Sequence, residues 1–271
     1  MTLIDMADTV DVSHDQRSLN WATIAGTGFS AAYIHATHGT HQRDPSLDTH
    51  LTQAKDAGLA TGLIHTPKLT TASAEARHFA DILNLRHAAR PGNLPPCLDL
   101  HLYSPTDLRN RKIIRWINTF FSTLRVTTGR RQVLLRAGLT SLRLALAHAR
   151  YLDDDVLLWI SHYGKEPGTP GFRDHRTIGH HYTNRGRLDD HLTGLNISYF
   201  WPPLTTLTAG SALINPGARH GWHTVRPGET LRSIADRYQI LGGWKTLWDI
   251  NRDVITDPDI LFSDQKIRLP N

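Results

Sequence analysis

The sequence predicts an α/β fold, an irregular (β/α) barrel of the triosephosphate-isomerase type followed by a small βααβ module. Three observations carry that expectation. Short apolar runs alternate with amphipathic helical segments through five successive βα units. Three further strand candidates then arrive without good helices between them, which completes eight strands but makes the second part irregular. After a stretch rich in Pro, Thr, Gly and Ala, the last fifty or so residues restart with a different pattern.

Thr9-Val-Asp-Val-Ser13 starts the regular structure as a strand, and Ser18 to Ile24 has helical apolar spacing. Ala31 to Ala36 reads as the second strand. Asp44-Pro-Ser46 caps a helix that places Leu47, Leu51 and Ala54 on one face before Gly58. Thr61 to Thr66 is the third strand, and Ala72 to Leu85 a helix using Ala76, Phe79 and Leu83. Leu94 to Tyr103 reads as a buried fourth strand. Asp99 and His101, two residues apart, project from one face of it.

Ser104 then caps the clearest helix, with Pro105 and Asp107 in its first turn and a stripe of Ile113, Ile117, Phe120 and Leu124 running to Gly129. Gln132 to Ala137 and the helix from Leu139 to Ala149 make the fifth unit. The remaining strands are Val156 to Tyr163, Arg176 to Thr183 and Leu195 to Phe200. Domain boundaries follow at 1–201 for the barrel, 202–221 for a linker and 222–271 for the module.

The chain has 271 residues, is 39% hydrophobic and 20% charged, and carries a net charge of +5. That composition excludes disorder and allows a real core. Basic residues are scattered and not interleaved with aromatics, so no nucleic-acid partner is expected. No apolar stretch reaches membrane-spanning length and no basic-then-apolar amino terminus is present, so neither a membrane partner nor a secretory signal is expected. Cys97 is alone in an apolar run and reads as a core residue.

His223-Thr-Val-Arg-Pro-Gly-Glu-Thr-Leu-Arg-Ser-Ile-Ala-Asp-Arg-Tyr238, followed by Trp244-Lys-Thr-Leu-Trp-Asp-Ile-Asn251, resembles a LysM domain. The resemblance implies binding of N-acetylglucosamine-containing glycan, with bacterial peptidoglycan as partner. It places the groove between Gly228, Glu229, Thr230 and Leu231 on one side and Pro258, Asp259, Ile260 and Leu261 on the other. Ser263-Asp264-Gln265 stands where the family usually has Pro-Gly-Gln. Trp244 and Trp248, four apart, read as packing residues.

Val10-Asp-Val-Ser-His14, Ala32-Tyr-Ile-His-Ala-Thr-His-Gly39, Gly62-Leu-Ile-His65, Leu98-Asp-Leu-His101, Trp159-Ile-Ser-His-Tyr163, His181-Tyr-Thr183 and Gly194-Leu-Asn196 resemble, in order, the glycoside hydrolase family 25 lysozymes. These are muramidases with an irregular eight-stranded barrel. The resemblance carries catalytic positions to Asp11, Asp99, His101 and Asn196. His101 stands where the family has its acid Glu, and Asn196 where it has an Asp.

Cleaving a glycosidic bond needs a proton donor and a carboxylate facing an oxocarbenium-like transition state. Imidazole and amide at 101 and 196 remove a proton source and negative potential. The expected function is therefore peptidoglycan binding by the LysM module attached to an inactive muramidase-like barrel. The alternatives are an active or weakly active endolysin-type muramidase, and a structural component of a phage tail or injection particle with other particle proteins as partners. The cell wall is the expected place of action, reached from the cytoplasm. No cofactor and no metal site are expected. The imidazoles that strand ends could gather are His38, His65, His101 and His181, or its neighbour His180, and satisfied polar histidines are the simpler reading.

Overall fold

Near-continuous apolar runs form strands when both of their faces can be covered, here by barrel interior and helices. The structure is a computed structural model describing residues 7–16, 19–100, 111–147, 152–153, 156–172, 176–188, 193–209, 222–238, 240, 243–252 and 254–269. Two units separate at Ser211 and Ala212.

In the first unit, the strands in chain order are β1 (Ala7–Val12), β2 (Ala31–His38), β3 (Gln42–Arg43), β4 (Ala60–Thr66), β5 (Cys97–Asp99), β6 (Val133–Gly138), β7 (Val156–Ser161), β8 (Thr177–Arg187) and β9 (Thr193–Phe200). Eight of them close a barrel in the order β1-β2-β4-β5-β6-β7-β8-β9, with β9 returning to β1. The two-residue β3 pairs with the end of β2.

The irregularity expected in the second part of the barrel falls on the last strand. β9 is antiparallel to both β8 and β1, while the other barrel pairs are parallel. The connection from Arg187 to Thr193 is too short for a crossover, which needs about a dozen residues, so the chain turns back as a hairpin. The fourth strand is also shorter than its apolar run. Pro95 and Pro96 have no N–H for a ladder, so pairing begins at Cys97.

The helices of this unit are α1 (Trp21–Gly26), α2 (Leu47–Asp56), α3 (Ala72–Leu85), α4 (Arg111–Thr128), α5 (Leu139–Ala147) and α6 (Leu204–Thr208). Asn20 caps α1 by accepting from the Thr23 N–H. The expected cap of α4 at Ser104 lies outside the described residues. Ala76, Phe79 and Leu83 of α3 and Ile117, Phe120 and Leu124 of α4 are buried in one core, as their spacing requires.

Residues 204–208, expected in the linker, form α6 and belong to the barrel. The Gly92 N–H donates to the Thr208 carbonyl at 2.8 Å. The buried Arg130 guanidinium donates to the carbonyls of Asn93 and Leu207 and to Gln132. A buried guanidinium must find acceptors, and the α6 carbonyl supplies one of them.

Inside the barrel, Tyr33, Trp159 and Phe200 fill the centre with ring centroids 5.0 to 6.1 Å apart. Gly62 and Gly179 make room for them. A Cβ at Gly62 would sit 2.4 Å from Tyr33 Cε1, and one at Gly179 would sit 2.7 Å from Phe200 Cε1. This aromatic layer is the floor beneath the mouth.

The second unit has β10 (Trp222–Thr224), α7 (Leu231–Arg237), α8 (Gly243–Asp249) and β11 (Lys266–Arg268), the expected βααβ order. β10 and β11 pair antiparallel, and Val225, Leu231, Ile234, Leu247, Ile255 and Ile267 make the core. Thr230 caps α7 in a reciprocal pair with Ser233. Buried Asn251 donates to the carbonyls of Leu247 and Arg268 and accepts from the Arg268 N–H, tying α8 to β11. In the turn before β11, Asp264 has φ +67°, a left-handed conformation that Asp adopts more readily than most residues.

Candidate active site and glycan groove

Strand register brings the barrel's polar groups together. Asp99 lies opposite Arg136 in the β5–β6 ladder, and Asp11 lies opposite Asn196 in the β1–β9 ladder. Arg136, from the middle of the apolar run Val133-Leu-Leu-Arg-Ala137, is 0% exposed. Its Nη2 donates to Asp99 Oδ2 at 2.5 Å, and its Nη1 lies 2.9 Å from Asp11 Oδ1. The guanidinium carbon sits 4.5 Å from the centroid of the Trp159 ring, a favourable stacking geometry for a desolvated cation. A planar, delocalised cation therefore bridges both candidate carboxylates.

Burial alone would raise the Asp11 carboxyl. Arg136, followed by His35 and His181, overcomes that and holds it well below the usual carboxylate range. Burial would likewise discharge Arg136, yet Asp11 and Asp99 keep it charged far above neutrality. The Asp11–Arg136 approach is not aligned as a hydrogen bond. Both Asp11 oxygens are buried without a hydrogen-bond donor among the described residues.

Asn196 Nδ2 donates to the Asp11 carbonyl at 3.4 Å. His181 is buried with Nε2 4.0 Å from Asp11 Oδ2, and its ring meets Tyr163 edge-on. His35 Nε2 lies 3.7 Å from Asp11 Oδ1. A cleft of about 510 Å³ opens over this cluster, lined in part by Asp11, His35, His38, Arg136, His181 and Asn196. His101 lies outside the described residues.

Among the described residues, the histidines named as possible metal ligands do not share a centre. His65 lies in the core, its ring between Phe79 and Phe120, with Nδ1 2.8 Å from Thr37 Oγ1 and Nε2 3.1 Å from Glu75 Oε2. Glu75 also accepts from the N–H groups of Lys68 and Thr70, and with His65 these hold its carboxyl at about 2 despite burial. His180 points away from His181, as adjacent strand residues must, with Nε2 2.9 Å from the His162 carbonyl. His38 is exposed at the cleft edge. Among the described residues no three His, Cys, Asp or Glu side chains are arranged to hold a metal.

In the second unit, a groove of about 340 Å³ is lined by Glu229, Thr230, Leu231, Arg232, Trp244, Pro258, Asp259 and Leu261. Gly228 and Ile260, expected in it, fall outside this lining. Trp244 does more than its expected packing, since it rests on the module's core and also faces the groove. Trp248 is structural, with its indole N–H donating to the Ile255 carbonyl and Arg252 over its ring.

Glu229 is held from behind. The Arg226 N–H donates to it at 2.9 Å, His223 Nε2 lies 2.6 Å away, and Arg237 pairs with its other oxygen. The Arg226 amide and then His223 bring its carboxyl down to about 2.

These two sites can now be set beside known proteins. The model of glycosyl hydrolases family 25 matches residues 10–191, most of the chain, and the LysM domain model matches residues 223–270. The chain belongs to glycosyl hydrolases family 25.

Lysozyme M1 of Streptomyces globisporus is 33% identical over 133 residues, covering 46% of this chain and 44% of that protein. The chain thus matches less than half the length of this curated relative. Among solved structures, the Streptomyces coelicolor bacterial lysozyme aligns at TM-score 0.58 and 24% identity, over 76% of this chain and 97% of that one. The family 25 lysozyme of Aspergillus fumigatus aligns at 0.62 and 21%, over 76% and 100%. The muramidase-type barrel and the LysM module are thereby both established.

Arg136, His35 and Trp159 at the barrel mouth, and Arg232 and Trp244 in the groove, are the site residues sequence reasoning missed. The signal for Arg136 was present, as a lone charge inside an apolar strand. A buried charge in such a run requires a partner.

Proposed function

We propose that the protein binds peptidoglycan through the LysM groove and that its family 25 barrel holds glycan without hydrolysing it. The observation that supports the second clause is the Arg136 guanidinium between Asp11 and Asp99. A family 25 cleft works on a transition state with positive charge at the sugar, and carboxylates stabilise it by being free to face it. Here a permanent protein cation already occupies their field.

His101 replaces the acid and Asn196 an additional carboxylate, so neither supplies what the bridge removes. What remains is a polar cleft whose half-buried His35 and Asn196 and exposed His38 can meet sugar hydroxyls. Two linked glycan sites raise avidity when both reach one wall.

The competing reading is a working muramidase, favoured by family membership and by the likeness to the Streptomyces globisporus lysozyme. Reducing-end release from purified peptidoglycan decides between them. The expected result is sedimentation of the protein with the wall and no release. Turnover by the unmodified protein that Asp99→Asn abolishes would establish the enzyme instead.

Among the described residues no helix is long and apolar enough to cross a membrane. Attachment to a phage or injection particle is a further role compatible with wall binding, and stable co-purification with such particles is its test.

A further inference from the structure

The groove of the second unit holds charged groups in two conditions. Glu229 is committed to the Arg226 amide, His223 and Arg237. Arg232, in the first turn of α7, lines the same groove with no hydrogen-bond or ion-pair partner among the described residues, and it is exposed. Trp244 and Asp259 also line the groove, and the indole N–H and the carboxylate have no hydrogen-bond partner among the described residues. Of the two groove carboxylates, Glu229 is neutralised from behind, so an acidic ligand group meets Arg232 with less opposition than the residue count suggests.

A neutral N-acetylglucosamine oligomer offers hydroxyl and acetamido groups, which Asp259 and Trp244 can serve. It offers a guanidinium hydrogen-bond acceptors but no opposite charge. A carboxylate offers both, and guanidinium presents a fork of donors that fits it in a bidentate manner.

We propose that the LysM groove is selective for acidic glycan, with Arg232 recognising a carboxylate on a lactyl or peptidyl substituent of the sugar chain. The inference rests on the groove being the glycan site. Asp259 sets the opposite sign, accepting from the ligand's N–H and O–H groups and opposing its carboxylate.

The test is calorimetric titration of the full chain with three probes at low and high salt. They are an N-acetylglucosamine tetramer, an N-acetylglucosamine–N-acetylmuramic acid oligomer with free lactyl carboxylates, and the same oligomer carrying peptide stems. The expected result is about three- to tenfold tighter binding of at least one acidic probe than of the neutral one, a preference diminished by salt. Arg232→Gln should remove that preference, weakening the acidic probes more than the neutral tetramer, and Asp259→Asn should enlarge it. The lactyl and stem probes separate the two sources of the carboxylate.

Equal affinity of the wild type for neutral and acidic probes, or a preference that survives in Arg232→Gln, overturns the inference and leaves the groove a glycan site. Failure to bind any probe overturns the glycan reading itself, and this inference with it.

Discussion

The barrel mouth and the LysM groove both concentrate charge, but they dispose of it in opposite ways. At the mouth, Asp11, Asp99 and Arg136 are all buried, and the one guanidinium is shared between the two carboxylates within the protein. In the groove, Arg232 and Asp259 stay exposed and uncommitted, and Glu229 alone is paired, with His223 and Arg237. An internally paired site is costly to disturb and has little left for a ligand, whereas an open one costs folding little and keeps its groups for binding. A family resemblance at both sites therefore does not imply equal function.

The sharpest way to break this comparison is to remove each site's arginine. Arg136→Met leaves two buried carboxylates facing each other, and should cost about 3–5 kcal/mol in chemical denaturation of the barrel at neutral pH. The loss should shrink under mild acid, as one carboxyl takes up a proton. Arg232→Gln should change stability by less than about 0.5 kcal/mol. Comparable losses in the two variants would show that the mouth is not an internally paired site.

The next effect in size concerns acid. Burial lowers the His65 pKa from its usual 6.5, so the unfolded chain binds a proton before the folded one does. Stability contributed by neutral His65 is complete above pH 6.5 and declines as pH falls below it. Glu75, held at about 2 against a usual 4.5, contributes stability that is complete above pH 4.5 and is lost as pH falls through about 2. Urea midpoints followed against pH should therefore fall in two stages on acidification. Glu75→Gln should flatten the stage below 4.5. A barrel equally stable at pH 7 and pH 3 would contradict the buried His65–Glu75 pair.

The smallest effect belongs to the module. Thr230→Ala removes the α7 cap and should cost about 1 kcal/mol, read as faster amide exchange in the first turn of that helix. No change in the barrel's denaturation is expected from it. Because Thr230 also lines the groove, unchanged glycan affinity in this variant would limit its role there to the cap.

Restoring carboxylates tests the mouth from the other direction. The double variant His101→Glu, Asn196→Asp keeps Arg136, and on the present reading it should still release no more reducing ends than the wild type. Release at a rate above the wild type would show that carboxylates at 101 and 196 suffice for hydrolysis with Arg136 in place.

Much of this protein is determined by local rules that a sequence displays. Ala72–Leu85 is a helix because Ala76, Phe79 and Leu83 recur at helical spacing, and Val156–Ser161 is a strand because Val-Leu-Leu-Trp-Ile suits a doubly covered sheet. Asp11 and Asp99 stand at strand positions that reach the mouth, and the Pro-Gly-Glu-Thr-Leu motif locates one wall of the groove. Only the tertiary structure decided three other things. It reversed β9, since a short connection cannot cross the barrel, and it drew residues 204–208 onto the barrel through Arg130. It also set Arg136 between two aspartates far from it in the chain. A buried charge selects its partners by where strand register and packing place them, and that closure is set by the whole barrel, whereas periodicity and turn chemistry act over a few residues.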